Sequence, residues 1–180
     1  CVLAGIILFF SFFTIGTTVT YDGTVSMKIA TYTPKVLSSE WYARLSNEAA
    51  FNENPNAEMP YSDEEIEMFR NGSNPDMYPN TNWYDEILHT ALTHNHSLDI
   101  SGGTEKATYS VGTSYLYQDD ILDSKNDYSR FNLRTKADYK AFDWLKVGAN
   151  VVLSNSTQNL PNGEVWLAAS RTPGIIPVYD

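Results

Sequence analysis

Five stretches of this chain alternate apolar and polar side chains with a period of two, and the connections after them run long, short, long, short and long. A period of two puts successive side chains on opposite faces of an extended strand. In the first stretch Val19, Tyr21, Val25, Met27 and Ile29 share one face, and Thr20, Asp22, Thr24, Ser26 and Lys28 the other. From Asn95, His96, Leu98 and Ile100 alternate with Ser97, Asp99 and Ser101. Ala107, Tyr109, Val111, Thr113, Tyr115 and Tyr117 line one face of the third stretch. In the fourth, Phe131, Leu133, Thr135, Ala137 and Tyr139 oppose Arg130, Asn132, Arg134, Lys136 and Asp138. The fifth carries Leu145, Val147, Ala149, Val151 and Leu153.

The connections are 31–95, 102–105, 119–127, 140–143 and 155 onward. In an up-and-down meander alternate connections lie at opposite ends, so every long loop falls at one end and every tight turn at the other. Transmembrane β-barrels have that layout, with short periplasmic turns and long outer loops. Strands of roughly 9–11 residues suit a tilted bilayer crossing, and only a closed sheet leaves no unpaired backbone edge in lipid. A soluble β-sandwich alternates in the same way. Two details favour the barrel: the polar face carries Arg130, Asn132, Arg134, Lys136 and Asp138, which suits a wet lumen, and the apolar face is smooth, built from Ala, Val, Leu, Thr and Tyr. The expected fold is therefore mainly β: an antiparallel up-and-down meander from a transmembrane barrel, with short helices in a long extracellular loop.

That loop, 31–95, has a different texture. Ser39 to Phe51 reads as a helix with Trp41, Leu45 and Ala49 on its inner side. Ser62-Asp63-Glu64-Glu65 is a capping box opening a helix through Phe69, stopped at Asn71-Gly72. Trp83 to Leu92 reads as a third helix with Trp83, Ile87, Leu88 and Ala91 inward, and Glu164 to Ser170 as a fourth. The apolar run Val2 to Phe13 is shorter than the roughly 20 residues of a membrane-crossing helix and lacks the basic flank of a signal peptide. It reads as a buried strand.

Composition excludes some functions. Twelve Lys+Arg against 22 Asp+Glu give a net charge of −10, which opposes binding to nucleic acid. Cys1 is the one cysteine, so no disulfide or cysteine-based zinc site forms within the chain. No Ser-His-Asp grouping, phosphate loop or nucleophile elbow is present, and Glu64, Glu65 and Glu67 read as acids complementing a helix dipole, so no enzyme is expected. His89, His94 and His96 lack a completing carboxylate or thiolate, so no metal or other cofactor is expected. Asp119, Asp120, Asp123, Asn126 and Asp127 could offer oxygen ligands to calcium in an outer loop, but their spacing fits no EF-hand. Trp41 and Trp83 read as anchors for loop helices and Trp144 sits beside a tight turn, leaving Trp166 as the candidate for contact with a substrate.

Specific phrases carry a resemblance. Tyr78-Pro79-Asn80-Thr81-Asn82-Trp83-Tyr84-Asp85-Glu86, Asn95-His96-Ser97-Leu98-Asp99-Ile100-Ser101-Gly102-Gly103-Thr104-Glu105-Lys106 and Tyr128-Ser129-Arg130-Phe131-Asn132-Leu133-Arg134 come in that order. Trp144-Leu145-Lys146-Val147-Gly148-Ala149-Asn150 and Arg171-Thr172-Pro173 with Ile176-Pro177-Val178-Tyr179-Asp180 follow, and Val19-Thr20-Tyr21-Asp22-Gly23 precedes them all. Together they resemble the SusC/RagA class of TonB-dependent outer-membrane receptors from Val19 to Asp180. The resemblance implies a plugged barrel of about 22 strands, energised through TonB by regions absent from this chain and lidded by a SusD-like lipoprotein. It implies import of oligosaccharides or peptides across the outer membrane. Residues 1–16 would then be the end of the plug domain, with Phe9 to Ile15 departing from the family's basic phrase there, and 17–180 the first part of the barrel. The chain, opening on Cys1 and ending mid-phrase, reads as a fragment. The competing expectation is a secreted soluble β-sheet domain that binds glycans.

Overall fold

The computed structural model describes residues 2–14, 16–160 and 164–179, with backbone alone for 2–14. The chain divides into two units, 1–31 with 89–161 and 32–88 with 162–180.

The first unit is one antiparallel sheet of six strands in chain order. They are β1 (Val2–Thr14), β2 (Thr17–Ile29), β3 (Ala91–Gly103), β4 (Ala107–Asp119), β5 (Asp127–Phe142) and β6 (Leu145–Gln158). The apolar run near the start of the chain forms the first strand of this sheet: β1 pairs with β2 along its whole length, from Val2 opposite Ile29 to Thr14 opposite Thr17. The added hairpin obeys the same alternation of connections. Its tight turn passes Gly16, whose φ of +79° is a left-handed conformation open to glycine. The Gly103 N–H donates to the Gly16 carbonyl at 3.0 Å, so the first two tight turns meet at one end.

Each strand runs longer than the pattern alone indicated, 13 to 16 residues. The third helix is shorter than expected. It stops at Ile87, and Ala91 already pairs with Lys28. Leu92, His94 and His96 continue the alternation of β3, so pairing with β2 claims a stretch whose local pattern also suited a helix. A register shift between Lys140 and Phe142 marks a bulge where β5 enters its turn.

The second unit is helical: α1 (Ser39–Glu53), α2 (Asp63–Asn71), α3 (Trp83–Ile87) and α4 (Val165–Arg171). The capping box of α2 forms as expected. The Glu65 N–H donates to Ser62 Oγ at 3.2 Å and the Ser62 N–H to Glu65 Oε2 at 2.8 Å. Gly72 ends the helix at φ +62°. Ala43, Ile66 and Phe69 form the unit's buried cluster, flanked by Tyr61, Tyr78 and Ile175. The inner face of α1 differs from the expectation. Ser39 and Ala43 are buried, whereas Trp41, Leu45 and Ala49 face solvent. Small residues let α1 approach its neighbours, and the bulky ones are left outside. Among the described residues no helix is long and apolar enough to cross a membrane, which does not bear on strands.

Candidate functional site

Register fixes two unlike faces on the sheet. Thr113 lies opposite Leu98 and Leu133, and Leu133 opposite Leu153. Val111, likewise, lies opposite Ile100 and Thr135, and Thr135 opposite Val151. This apolar face is uncovered: Val111, Val151 and Leu153 are 37%, 50% and 56% exposed. Aromatic residues collect at its two ends. Tyr109, Tyr139, Phe142 and Trp144 stand at the tight-turn end, and Tyr115, Tyr117 and Phe131 toward the long-loop end. Tyr109 and Tyr117, like Phe131 and Tyr139, are separated by eight residues, about 27 Å at ~3.4 Å per residue. A strand tilt of ~35–45° would make that roughly 20 Å in height, against ~25 Å for the apolar band of outer-membrane barrels.

The opposite face is polar. Arg130, Asn132, Arg134 and Lys136, expected together on one side of a strand, lie opposite Leu116, Ser114, Gly112 and Ser110. Asn132 is the centre of a ladder across three strands. Its Nδ2 donates to Ser114 Oγ at 3.1 Å, and Ser154 Oγ donates to its Oδ1 at 2.8 Å. A cleft of about 420 Å³ here is lined in part by Asp99, Ser114, Arg130, Asn132 and Arg134. Gly112 makes room for the acid: a Cβ there would stand 2.5 Å from Asp99 Oδ1. Gly148 does the same for Asp138, whose carboxylate gathers Lys136 at 3.5 Å and Lys146 at 4.0 Å. The sequence pattern did not single out Asp99 or the Asn132 ladder. Their signal is a glycine directly across from an aspartate, which needs the register to be seen.

The histidines separate. His89 Nε2 lies 3.1 Å from Asp119 Oδ2. His94 and His96 share a face, ring centroids 5.2 Å apart, with Tyr21 O–H and His96 Nδ1 at 2.7 Å. Among the described residues no three His, Cys, Asp or Glu side chains gather as for a metal. The acidic loop uses its oxygens internally: Asp119 Oδ1 accepts from the Asp120 N–H, Asp120 from Asn126, and Asp127 from Asn159.

Trp166 lies on α4, 44% exposed, its ring centroid 5.0 Å from that of the buried Tyr84. Trp83 is tied to the second unit through its Nε1–H, which donates to the Pro173 carbonyl at 3.3 Å. Trp41 is 56% exposed.

No family model matches the chain. Over 157 residues, 86% of this chain, it is 29% identical to the TonB-dependent receptor P26 of Formosa agariphila, and the match spans 14% of that relative's length. This likeness, over most of a chain built as an antiparallel sheet with one uncovered apolar face, supports the TonB-dependent receptor family, a family of transporters rather than of enzymes.

Proposed function

We propose that this chain is part of the barrel wall of a TonB-dependent importer in a bacterial outer membrane, of the SusC/RagA class. The observation that carries this reading is the uncovered apolar face, smooth in the middle and banded by aromatics at both ends. In water such a face is a liability, since soluble monomers rarely expose large contiguous apolar patches. Against lipid it is the required outer surface, and amphipathic rings belong at its two borders. The polar face then lines the lumen, with Arg130, Asn132, Arg134 and Lys136 turned toward whatever fills it. The tight turns lie in the periplasm. The helical connection 31–95 stands outside, where a SusD-like lipoprotein would lid the barrel, and Trp166 is the residue proposed to touch an oligosaccharide or peptide on its way in. Energy would come through TonB, by segments outside this chain. The pairing of β1 into the sheet favours a barrel strand, rather than a plug end, for residues 2–14.

Membrane extraction tests the reading. The protein carrying this chain should stay in washed outer membranes through high salt and alkaline carbonate, leave only in detergent, and migrate faster before boiling than after. Recovery in the soluble fraction without detergent would replace the importer by a secreted β-domain.

A further inference from the structure

We propose that the cleft around Asn132 on the polar face is a subsite for a carboxylate-bearing sugar, so that the imported substrate is an acidic oligosaccharide. The proposal rests on the lumen reading of that face and adds a substrate class to it. Register puts every charged group of the cleft on one face. Ser97, Ser114, Asn132 and Ser154 lie opposite one another across β3 to β6, and Asp99, Gly112, Arg134 and Val152 form the next row. Arg130, opposite Leu116, belongs to the row on the other side of Asn132. The two arginines therefore flank Asn132 on its own strand and its own face, each about 7 Å away along the backbone at ~3.4 Å per residue, and both line the cleft.

Neither arginine forms an ion pair among the described residues. The lysines of the same face differ: Lys136 and Lys146 both meet Asp138, at 3.5 and 4.0 Å. Asp99 leaves the arginines unpaired as well. Its carboxylate lies over Gly112, where a Cβ would stand 2.5 Å from Oδ1, and Arg134 is across Gly112 on the next strand. The cleft thus offers two guanidinium forks, the amide and hydroxyls of the Asn132 ladder, and one carboxylate. A guanidinium fork matches a carboxylate with two parallel hydrogen bonds. Two forks against one acid leave a positive balance here, in a chain whose net charge is −10. Asp99 and the ladder serve hydroxyl groups, which both donate and accept. A uronic acid unit supplies all of these partners at once. An acidic peptide would also bring apolar side chains, and among the described residues on this face of the cleft only Val152 is apolar. A volume of about 420 Å³ falls within the ~300–1,000 Å³ of small-ligand sites. Asn132 is closer to Asp127, at the long-loop end of β5, than to Phe142 at the tight turn. In the barrel reading that is the outer part of the wall, which an incoming substrate meets first.

The test is calorimetric titration of the whole receptor, purified in detergent, with trigalacturonate and trimannuronate, each beside its carboxyl methyl ester. Wild type should hold at least one acid about tenfold more tightly than its ester, the worth of one charge-assisted contact, and the margin should shrink as salt rises. Arg130→Gln/Arg134→Gln should bring the acid down to the affinity of the ester and leave the ester unchanged. Lys140→Gln, a cation at the far end of the same strand, should bind as wild type. No binding of either acid, or equal binding of the acid by wild type and the double variant, would overturn the subsite. Tighter binding of triglutamate than of both uronates would reassign the cleft to peptides and overturn it too. So would a double variant with wild-type affinity but a leak of small ions in planar bilayers, because the arginines would then be holding a plug. If the double variant does not assemble, Arg134→Lys decides, since it keeps the charge and loses the fork: acid binding should weaken several-fold with the ester unchanged, and an unchanged acid affinity counts against the proposal. Failure of the barrel reading itself would show separately, as protein released from membranes without detergent.

Discussion

The two units of this chain are stabilised in opposite ways. The helical unit has a core: Ala43, Ile66 and Phe69 are 0%, 5% and 8% exposed, and Tyr84 and Ala169 are buried as well. The sheet has almost none. Among its described residues only Gly23 and Ala91 are buried. Ladders join each strand to its neighbours, yet neither face is covered by side chains of its own unit. The difference shows what each needs from outside. A core makes the loop unit's packing internal. A sheet with two bare faces needs two environments, apolar on one side and polar on the other, and the membrane reading supplies both.

The largest expected effect separates the units. Phe69 packs edge-on against Tyr61 at 6.2 Å and Tyr78 at 5.3 Å. Phe69→Ala should cost about 3–5 kcal/mol, the usual loss for a buried phenylalanine, more than so small a cluster can spare. The loop should then become sensitive to protease in detergent-purified receptor, while the heat-dependent migration of the barrel is unchanged. Loss of both together would mean that the sheet depends on the loop's core, and the contrast drawn above would fail.

A sharper and somewhat smaller effect compares neighbours. Val151 and Val152 are both exposed, at 50% and 60%, and face opposite ways, since Val151 lies opposite Thr135 and Val152 opposite Arg134. Val151→Arg should cost about 2–4 kcal/mol if its face meets lipid. Val152→Arg should fall within about 0.5 kcal/mol of wild type, as most surface changes do. Urea unfolding of the receptor in lipid vesicles gives both numbers. Equal costs would remove the reason for assigning lipid to one face.

The sheet was legible because its signal is local and repeated. The alternation from Val19 to Leu153 needs no partner to be read, and the connection lengths fixed which ends match. The run Val2 to Phe13 reads as a strand by itself, but its place in the sheet depends on pairing with β2, a non-local fact. The loop was legible at its caps, where Ser62 and Glu65 signal within four residues, and much less so in its packing. Trp41 and Leu45 looked like an inner face because bulky apolar residues usually are. In α1 the close approach is made by Ser39 and Ala43 instead, and only the neighbours' positions reveal that. The polar cleft was half legible: Arg130, Asn132, Arg134 and Lys136 followed from the period, whereas Asp99 joined them through Gly112 and the register. Trp166 was placed by the structure against Tyr84, a contact between residues 82 apart in sequence that no local pattern encodes.

The smallest effect concerns the cap that the sequence announced most plainly. Ser62→Ala should weaken α2 by about 1 kcal/mol and leave the sheet untouched, read as faster amide exchange through Asp63–Asn71 alone. The same cap gives a pH dependence with a definite sign. The Ser62 N–H and then the Ser62 hydroxyl hold the Glu65 carboxyl below its usual value of 4.5. A carboxyl whose folded value is depressed adds stability above its unfolded value and loses it as pH falls through the folded one. Exchange protection at the Ser62 amide should therefore be level from neutral pH down to the ordinary glutamate range, then fall as acid titrates Glu65. Glu65→Gln keeps an acceptor for the Ser62 N–H but cannot titrate, so its profile should stay flat through that interval. Superimposable profiles for the two proteins would show that the carboxylate's charge adds nothing to the cap, leaving the Ser62 hydroxyl and its bond to the Glu65 N–H as the whole of it.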